Sequence, residues 1–176
     1  MNLMFRTFWI WLAACLGKKR GMLETSVLPM TVLPNDLDIF LHLNNGRALQ
    51  VMDLGRFDLI LRSPLQKAMN EGKWTPVVGS TLVRYRRPMH LFDPYLLKTR
   101  IVCWDEKWIY LEQRLERKGD AAVVGFIKGT FVGKDGAVTP AEIFAAAAPG
   151  LSSPPVPDFI LRWNETEFLA KKKNPD

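Results

Sequence analysis

The feature that most constrains the fold is a single change of hydrophobic period along the chain. From Asn44 to about Arg62, apolar residues recur with helical spacing and cover most of the circumference of a predicted helix. A helix that is apolar on nearly every side is buried. From Val77 to Gly133 the apolar residues instead alternate with other residues, which is the spacing of strands. The sequence therefore predicts one long buried helix enclosed by a β-sheet.

Five strands are predicted around this helix, one before it and four after it. They lie at Leu23–Leu33, Val77–Arg87, Tyr95–Trp104, Lys107–Lys118 and Ala121–Gly133. The last three are joined by short turns and should form an antiparallel meander. Gly55 costs about 1 kcal/mol relative to alanine in mid-helix, so it predicts a close approach of the sheet. The predicted class is α+β, and an antiparallel sheet wrapped around one long helix is the hot-dog fold.

Two extensions flank this predicted domain, which covers residues 21–138. Residues 1–20 form an apolar segment that ends in three basic residues. This run is shorter than the roughly 20 apolar residues that span a bilayer as a helix. A short processed signal, a helix on a membrane surface and a helix packed on the domain or a partner subunit are the alternatives. Residues 139–176 are predicted to form a helical carboxy-terminal extension, with Thr139 as its cap and Pro140 at the first helical position.

The composition argues against several classes of function. With 48% hydrophobic and 24% charged residues, the chain is typical of globular proteins rather than disordered ones. Cys15 and Cys103 lie far apart, so neither a disulfide framework nor a zinc site is predicted. The net charge of +6 suits an anionic partner such as a nucleotide phosphate or a membrane surface. No nucleic-acid-binding motif accompanies this charge, so no nucleic acid is expected as a partner.

The segment between the first strand and the helix concentrates polar side chains. It contains Asp36, Asp38, His42, Asn44 and Asn45. Asp36 is expected to occupy an exposed turn, which leaves Asp38 as the carboxylate available for chemistry. A partly desolvated carboxylate can act as a general base for water or attack an activated carbonyl directly. The free N–H groups at the start of the helix could stabilise negative charge on the carbonyl oxygen.

The pattern D-x-D-x-x-x-H-x-N-N in this segment resembles the signature of hot-dog thioesterases related to 4-hydroxybenzoyl-CoA thioesterase. The resemblance covers roughly residues 23–134, and residues 34–62 resemble a branch that also has a hydrophobic amino-terminal segment. It implies hydrolysis of acyl-CoA thioesters, with CoA as part of the substrate and with no separate cofactor or metal. It further implies a homodimer or homotetramer with active sites at subunit boundaries, in the cytoplasm or peripheral to a membrane.

The resemblance also implies roles for individual residues. Asp38 matches the carboxylate that serves as nucleophile or general base, and His42 matches the histidine before the helix. Asn44 and Asn45 match the capping asparagines and are candidate contacts to the substrate. Asp53 falls where many relatives have an acidic residue inside the helix, which makes it a secondary catalytic candidate.

A basic cluster offers a binding site for the phosphates of CoA. It consists of Arg84, Arg86 and Arg87 at the end of the second predicted strand. Arginine suits phosphate, and a solvated strand face is the alternative explanation. Strand alternation predicts that Arg84 and Arg86 share one face of the strand while Arg87 lies on the other.

Structural roles compete with each of the catalytic assignments. Asp38 could serve only a turn, His42 could be a core histidine, and Asp53 could pair with Arg56 on the helix surface. Relatives often have a tyrosine shortly after the asparagines, where this chain has Ala48 and Leu49.

Two other functions compete with hydrolysis. The missing tyrosine and the apolar amino terminus support a non-catalytic acyl-binding or membrane-associated protein. A dehydratase or hydratase of related fold typically has four residues between its Asp and His. Here three residues separate Asp38 from His42, and five separate Asp36 from His42, so the spacing argues against it.

Overall fold

The computed structural model describes residues 2–173; Met1 and residues 174–176 of the two predicted terminal segments lie outside this range. Its elements are α1 (Asn2–Leu16), β1 (Ser26–Thr31), α2 (Asn45–Arg62), α3 (Leu65–Gly72), β2 (Thr75–Tyr85), β3 (Pro94–Trp104), β4 (Ile109–Arg117), β5 (Asp120–Gly133), β6 (Gly136–Val138), α4 (Pro140–Ala147) and α5 (Asp158–Lys173). The predicted α+β class, with one long helix against an antiparallel sheet, is confirmed.

All strands belong to one antiparallel sheet in the order β1-β3-β4-β5-β2, with the short β6 paired to β5. The predicted meander of β3, β4 and β5 is confirmed. Lys118 and Gly119 join β4 to β5 with φ angles of 52° and 84°, the left-handed backbone that a tight hairpin needs. Within residues 2–173, β1 and β2 are the strands at the two ends of this order, and β2 pairs with β5 alone.

The central helix α2 packs against the inner face of the sheet because its apolar side chains meet those of β3, β4 and β5. Val51 and Met52 are fully buried in the same cluster as Leu97 and Leu115. A Cβ atom added to Gly55 would overlap the Thr99 hydroxyl and lie 3.0 Å from Nε2 of Gln113. The prediction that Gly55 permits close approach of the sheet is therefore confirmed.

The two terminal helices pack on different sides of the domain. α1 lies against α2, with Ile10 and Ala14 buried, so the packed-helix alternative describes its observed position. α5 covers the other face of the sheet, where Ile160 is buried against Cys103 and Tyr110. Among residues 2–173, no helix has the length and apolar character needed to cross a bilayer.

Candidate active site

A tight turn between β1 and α2 carries Asp38. The Asp38 N–H donates to the His42 carbonyl at 2.8 Å, and the Leu41 N–H donates to the Asp38 carbonyl at 3.1 Å. Leu37 and Leu43 pair at the base of the turn. Leu41 has a φ of 61°, a left-handed conformation that costs a non-glycine residue roughly 1–2 kcal/mol. The strand pairing at its base holds this conformation in place.

The Asp38 carboxylate organises its own turn and also reaches an open cavity. Its Oδ1 accepts hydrogen bonds from the backbone N–H of Phe40 at 2.9 Å and of His42 at 3.2 Å. The side chain is only partly buried. The turn role that competed with the catalytic one is therefore present, and it leaves the carboxylate in contact with a site that a substrate could enter.

The cavity beside Asp38 has a volume of about 330 Å³. It brings together five of the residues singled out from the sequence, namely Asp38, His42, Asn45, Arg86 and Arg87. Ala48, Tyr85 and Met89 also line it. Residues from the turn, the start of α2 and the end of β2 therefore meet at one place, although about 40 residues separate them in the sequence.

The arginines of the basic cluster are arranged differently from the prediction. Arg86 and Arg87 line the cavity together, and Arg84 is not part of its wall. The backbone N–H groups of Arg86 and Arg87 both donate to the Ala122 carbonyl, at 2.8 and 3.2 Å. The predicted alternation is wrong at this point because β2 ends at Tyr85, so the period of a strand no longer governs the residues that follow.

Tyr85 is a residue of the cavity that the sequence reasoning missed. Its hydroxyl donates to the Asn45 carbonyl at 3.0 Å, so it joins the end of β2 to the first residue of α2. Desolvation raises the pKa of Tyr85, which keeps its proton in place at neutral pH. The cavity thus receives a phenol from β2, whereas relatives often have a tyrosine shortly after the asparagines. An aromatic residue directly before the arginine pair was the signal available in the sequence.

The fold also brings the two histidines of the chain together. The rings of His42 and His90 meet edge to face, with centroids 4.9 Å apart, and the backbones of the two residues pair. His90 Nδ1 lies 3.7 Å from Asp93 Oδ2. Desolvation acts to raise the pKa of Asp93, but the His90 N–H and the Arg117 guanidinium outweigh it and lower that pKa. Asp93 is therefore an anion beside the histidine pair.

Asp36 lies in the interior, so the expectation that it occupies an exposed turn is wrong. Its carboxylate is 1% exposed. Arg6 Nη2 lies 2.6 Å from Oδ2, and Arg47 Nε lies 3.2 Å from Oδ1. The Leu33 N–H donates to Oδ2 at 2.9 Å. Two guanidinium groups from different helices compensate the desolvation of this charge, which sequence spacing alone could not reveal.

The start of α2 is capped as predicted. Asn44 Oδ1 accepts a hydrogen bond from the Arg47 N–H at 3.1 Å, and the Asn44 N–H donates to the Asp36 carbonyl at 2.8 Å. Asn45, the first residue of the helix, lines the cavity. The positive end of the helix dipole therefore lies at the cavity.

Comparison with known proteins identifies the family of this chain. Residues 32–164 match the thioesterase-like superfamily. The chain belongs to that superfamily. Protein THEM6 of Danio rerio is 41% identical over 128 residues, which are 72% of this chain and 61% of that protein. The chain therefore spans less than two thirds of the length of this relative.

Solved structures of the same fold confirm the architecture of the thioesterase-like domain. The YbaW probable thioesterase from Escherichia coli superposes with a TM-score of 0.65 at 21% identity, covering 70% of this chain and 96% of that one. The gentisyl-coenzyme A thioesterase BH1999 superposes with a TM-score of 0.58 at 16% identity, covering 70% of this chain and 100% of that one. The hot-dog resemblance inferred from the motif is thereby confirmed.

Asp53 lies outside the Asp38 cavity of this thioesterase-like domain. It forms an ion pair with Arg56, which was one of the two interpretations of Asp53 from the sequence. The Asp53 side chain is nevertheless 68% exposed. Both residues line a second, mainly apolar cavity of about 360 Å³ between α2 and the sheet. Burial lowers the pKa of Arg56 to about 10, so it remains a cation at neutral pH. Its Nη1 donates to Gln113 Oε1 at 2.6 Å.

The fully buried carboxylate of α2 is Asp58, which the sequence reasoning did not single out. It is 0% exposed, and it accepts hydrogen bonds from Ser26 Oγ at 2.5 Å and from Arg62 Nε at 2.7 Å. Its spacing of four residues from Arg62 was the signal available in the sequence. Across residues 2–173, no three His, Cys, Asp or Glu side chains come together in a way that could hold a metal ion.

Proposed function

We propose that the protein hydrolyses acyl-CoA thioesters in the cavity beside Asp38. The observation that carries this proposal is the convergence of Asp38, His42, Tyr85 and two arginines on one cavity at the start of α2. Membership of the thioesterase-like superfamily supports it. So does the likeness of the fold to a protein named as a gentisyl-coenzyme A thioesterase.

In the proposed reaction Asp38 removes a proton from water as the water oxygen attacks the thioester carbonyl. The negative charge that develops on the carbonyl oxygen is stabilised by N–H groups of the first turn of α2. The intermediate then breaks its carbon–sulfur bond, and the proton held by Asp38 passes to the departing CoA thiolate. The products are a carboxylic acid and CoA. Direct attack by Asp38, through an anhydride that water then opens, is the other route open to this carboxylate.

The surrounding residues orient the carboxylate and the substrate. The His42 N–H holds Asp38 Oδ1, and the His42 side chain lies on the wall of the same cavity. Arg86 and Arg87 are proposed to bind CoA phosphates, for which the planar guanidinium is well suited. Arg87 also pairs with Asp120 at 2.7 Å, so its charge is partly shared.

We expect two copies to assemble through β2 as a homodimer, or as a tetramer of such dimers. β2 is an edge strand whose side chains Val77, Val78 and Leu82 are exposed, and an uncovered edge of this length invites pairing. A second copy on this edge would cover the apolar cavity, which is the proposed place for the acyl chain. Asp53 at the rim would then face the subunit boundary, where its secondary catalytic role is proposed. A monomer in sedimentation at micromolar concentration would contradict this assembly.

The outer face of α1 is proposed to bind a membrane surface. Its large apolar side chains Met4, Phe5, Phe8, Trp9, Trp11 and Leu16 are exposed. Lys18, two residues after the end of the helix, is exposed as well, and it adds attraction to anionic lipid. Flotation with anionic vesicles should carry the wild-type protein and fail to carry a Phe5→Ser/Trp9→Ser variant.

Thiol release from a panel of acyl-CoAs tests the proposed hydrolysis. Full-length protein should release free CoA from at least one chain length. Binding of acyl-CoA with no thiol release would instead favour the non-catalytic acyl-binding alternative. Addition of water to an enoyl-CoA would indicate a hydratase.

A further inference from the structure

The Arg6 side chain connects α1 to the segment that carries the active-site turn. The Arg6 side chain is 12% exposed. It donates to both oxygens of the Asp36 carboxylate, from Nη2 to Oδ2 at 2.6 Å and from Nη1 to Oδ1 at 3.3 Å. Nη2 also donates to the carbonyl of Thr31, the last residue of β1, at 3.1 Å. A single guanidinium thus connects the amino-terminal helix to the strand and to the segment that follows it.

Asp36 anchors the segment that contains the Asp38 turn. Its carbonyl accepts the Asn44 N–H at 2.8 Å, which closes the segment between β1 and α2 into a loop. Inside that loop the Asp38 N–H donates to the His42 carbonyl. Arg47, in the first turn of α2, contacts the same Asp36 carboxylate from the other side. The Asp36 side chain therefore joins α1, the turn and the start of α2.

α1 is also fixed at its far end, so Arg6 belongs to a docked helix. Arg62 Nη2 donates to the Ala13 carbonyl at 2.9 Å, and Lys19 Nζ donates to the Leu61 carbonyl at 2.9 Å. Ile10 and Ala14 are buried between these two ends. The helix is therefore held by its buried side chains and by the contacts of its far end with α2, which gives the Arg6 side chain a defined position.

We infer that Arg6 is a positioning residue of the Asp38 site and that α1 is therefore part of the catalytic unit. The inference rests on the proposed hydrolysis. Without Arg6, the buried Asp36 carboxylate keeps Arg47 and the Leu33 N–H but loses a bidentate partner. A buried carboxylate that keeps only one of its two cations has less compensation for its desolvation, which favours a shift of the group toward water. Such a movement shifts the base of the turn, and a misplacement of about 1 Å can cost on the order of 100-fold in rate.

An Arg6→Met variant of the full chain tests this inference, with Lys134→Met as the matched control. Methionine keeps an unbranched apolar stem and removes the charge, and Lys134 is an exposed cation in the turn between β5 and β6. The Arg6 variant should lose about 10- to 100-fold in kcat with little change in KM, because the error lies in the reacting geometry. Hydrogen exchange should accelerate at the backbone amides of Leu43 and Asn44. The control should match the wild type in both measurements.

A double-variant cycle separates positioning from general destabilisation. If Arg6 acts through Asp36, Arg6→Met combined with Asp36→Asn should lose no more activity than the worse single variant. Arg6→Lys keeps the charge but cannot form the bidentate pair, so it should fall between the wild type and Arg6→Met. This variant also decides the question if Arg6→Met does not fold.

Two results would overturn the inference. One is wild-type kcat and wild-type amide exchange in Arg6→Met and in Arg6→Lys. The other is a fully additive loss in the double variant. Failure of the proposed hydrolysis is distinguishable, since the wild-type protein would then release no thiol from any acyl-CoA. In that case the amide exchange of the turn still decides whether Arg6 holds it.

Discussion

Two carboxylates near opposite ends of α2 have opposite environments: Asp58 lies in the carboxy-terminal part of the helix, and Asp38 lies in the turn before its first residue. At the carboxy-terminal end, Asp58 is fully buried and bound by Ser26 and Arg62. Before the amino-terminal end, Asp38 accepts hydrogen bonds from two backbone N–H groups of its own turn and lines a cavity. A carboxylate that is fully paired inside the protein contributes to stability and is closed to substrate. One that is half-buried beside a cavity is available for chemistry.

The largest expected effect is the loss of activity in Asp38→Asn. The amide keeps the shape of the side chain but cannot accept the proton of the attacking water. Thiol release should fall by about 100- to 10,000-fold, which is the usual contribution of a general base. The melting temperature should stay close to that of the wild type, because the amide oxygen can still accept from the turn.

Asp135→Asn serves as the matched control for this variant, since it changes an exposed carboxylate in the turn between β5 and β6. It should leave both activity and melting temperature unchanged. Wild-type turnover by Asp38→Asn would remove Asp38 from the mechanism and end the contrast between the two ends of α2.

Asp58→Ala should have the largest effect on stability. It leaves the Arg62 guanidinium and the Ser26 hydroxyl without their carboxylate partner, and breaking a buried pair in this way typically costs about 3–5 kcal/mol. Urea unfolding would measure the loss. The turnover of the folded fraction should remain that of the wild type. A variant that is as stable as the wild type but inactive would show that this end of α2 also takes part in the chemistry.

Gly55→Ala probes the middle of α2, between the two ends. A methyl group at this position would overlap the Thr99 hydroxyl and crowd the Gln113 amide. Gln113 Nε2 donates to the Met52 carbonyl at 2.8 Å and to Thr99 Oγ1 at 2.9 Å, so a shift would disturb both hydrogen bonds. Overpacking of this kind costs about 1–3 kcal/mol, more than the gain in helix propensity. An increase in the free energy of unfolding would show that the sheet can shift to accommodate the added methyl group.

Tyr85→Phe tests the contact between β2 and the amino-terminal end of α2. The variant removes one hydrogen bond to the Asn45 carbonyl, which is worth about 0.5–1.5 kcal/mol. We expect a small loss in the free energy of unfolding. We also expect KM to rise by a few fold, because Tyr85 lines the wall of the cavity. Calorimetry and thiol-release kinetics would measure the two effects. If neither the free energy of unfolding nor KM changes, the Tyr85 hydroxyl has no role in the active site.

Asp53→Asn should have the smallest effect on stability, although Asp53 was the carboxylate of α2 for which the sequence suggested an ion pair. The Asp53 side chain is 68% exposed, and an exposed ion pair contributes about 0.2–1 kcal/mol. The difference from Asp58→Ala in urea unfolding measures how much burial adds to a carboxylate on the same helix. Equal losses from the two variants would contradict the assignment.

The sequence by itself determined the parts of this protein that depend on local pattern. The period of its apolar residues predicted α2 and the strands, Asn44 was expected to cap α2, and Gly55 was expected to admit the sheet. The motif around Asp38 was sufficient to identify the family. Helical or strand period and capping are decided within a few neighbouring residues, and a glycine in mid-helix is visible in the sequence because it lowers helix propensity.

Only the tertiary structure decided which side chains meet. Asp36 is buried because Arg6 reaches it from a helix 30 residues earlier in the chain. Tyr85 reaches Asn45, and His90 reaches His42, from 40 and 48 residues away in the sequence. The burial of a charge depends on partners supplied by other elements, and neither spacing nor residue type specifies how those elements pack. The motif therefore identified Asp38 as the candidate catalytic carboxylate. Whether Asp36, Asp53 and Asp58 are buried or exposed was decided by the packing of the helices and strands.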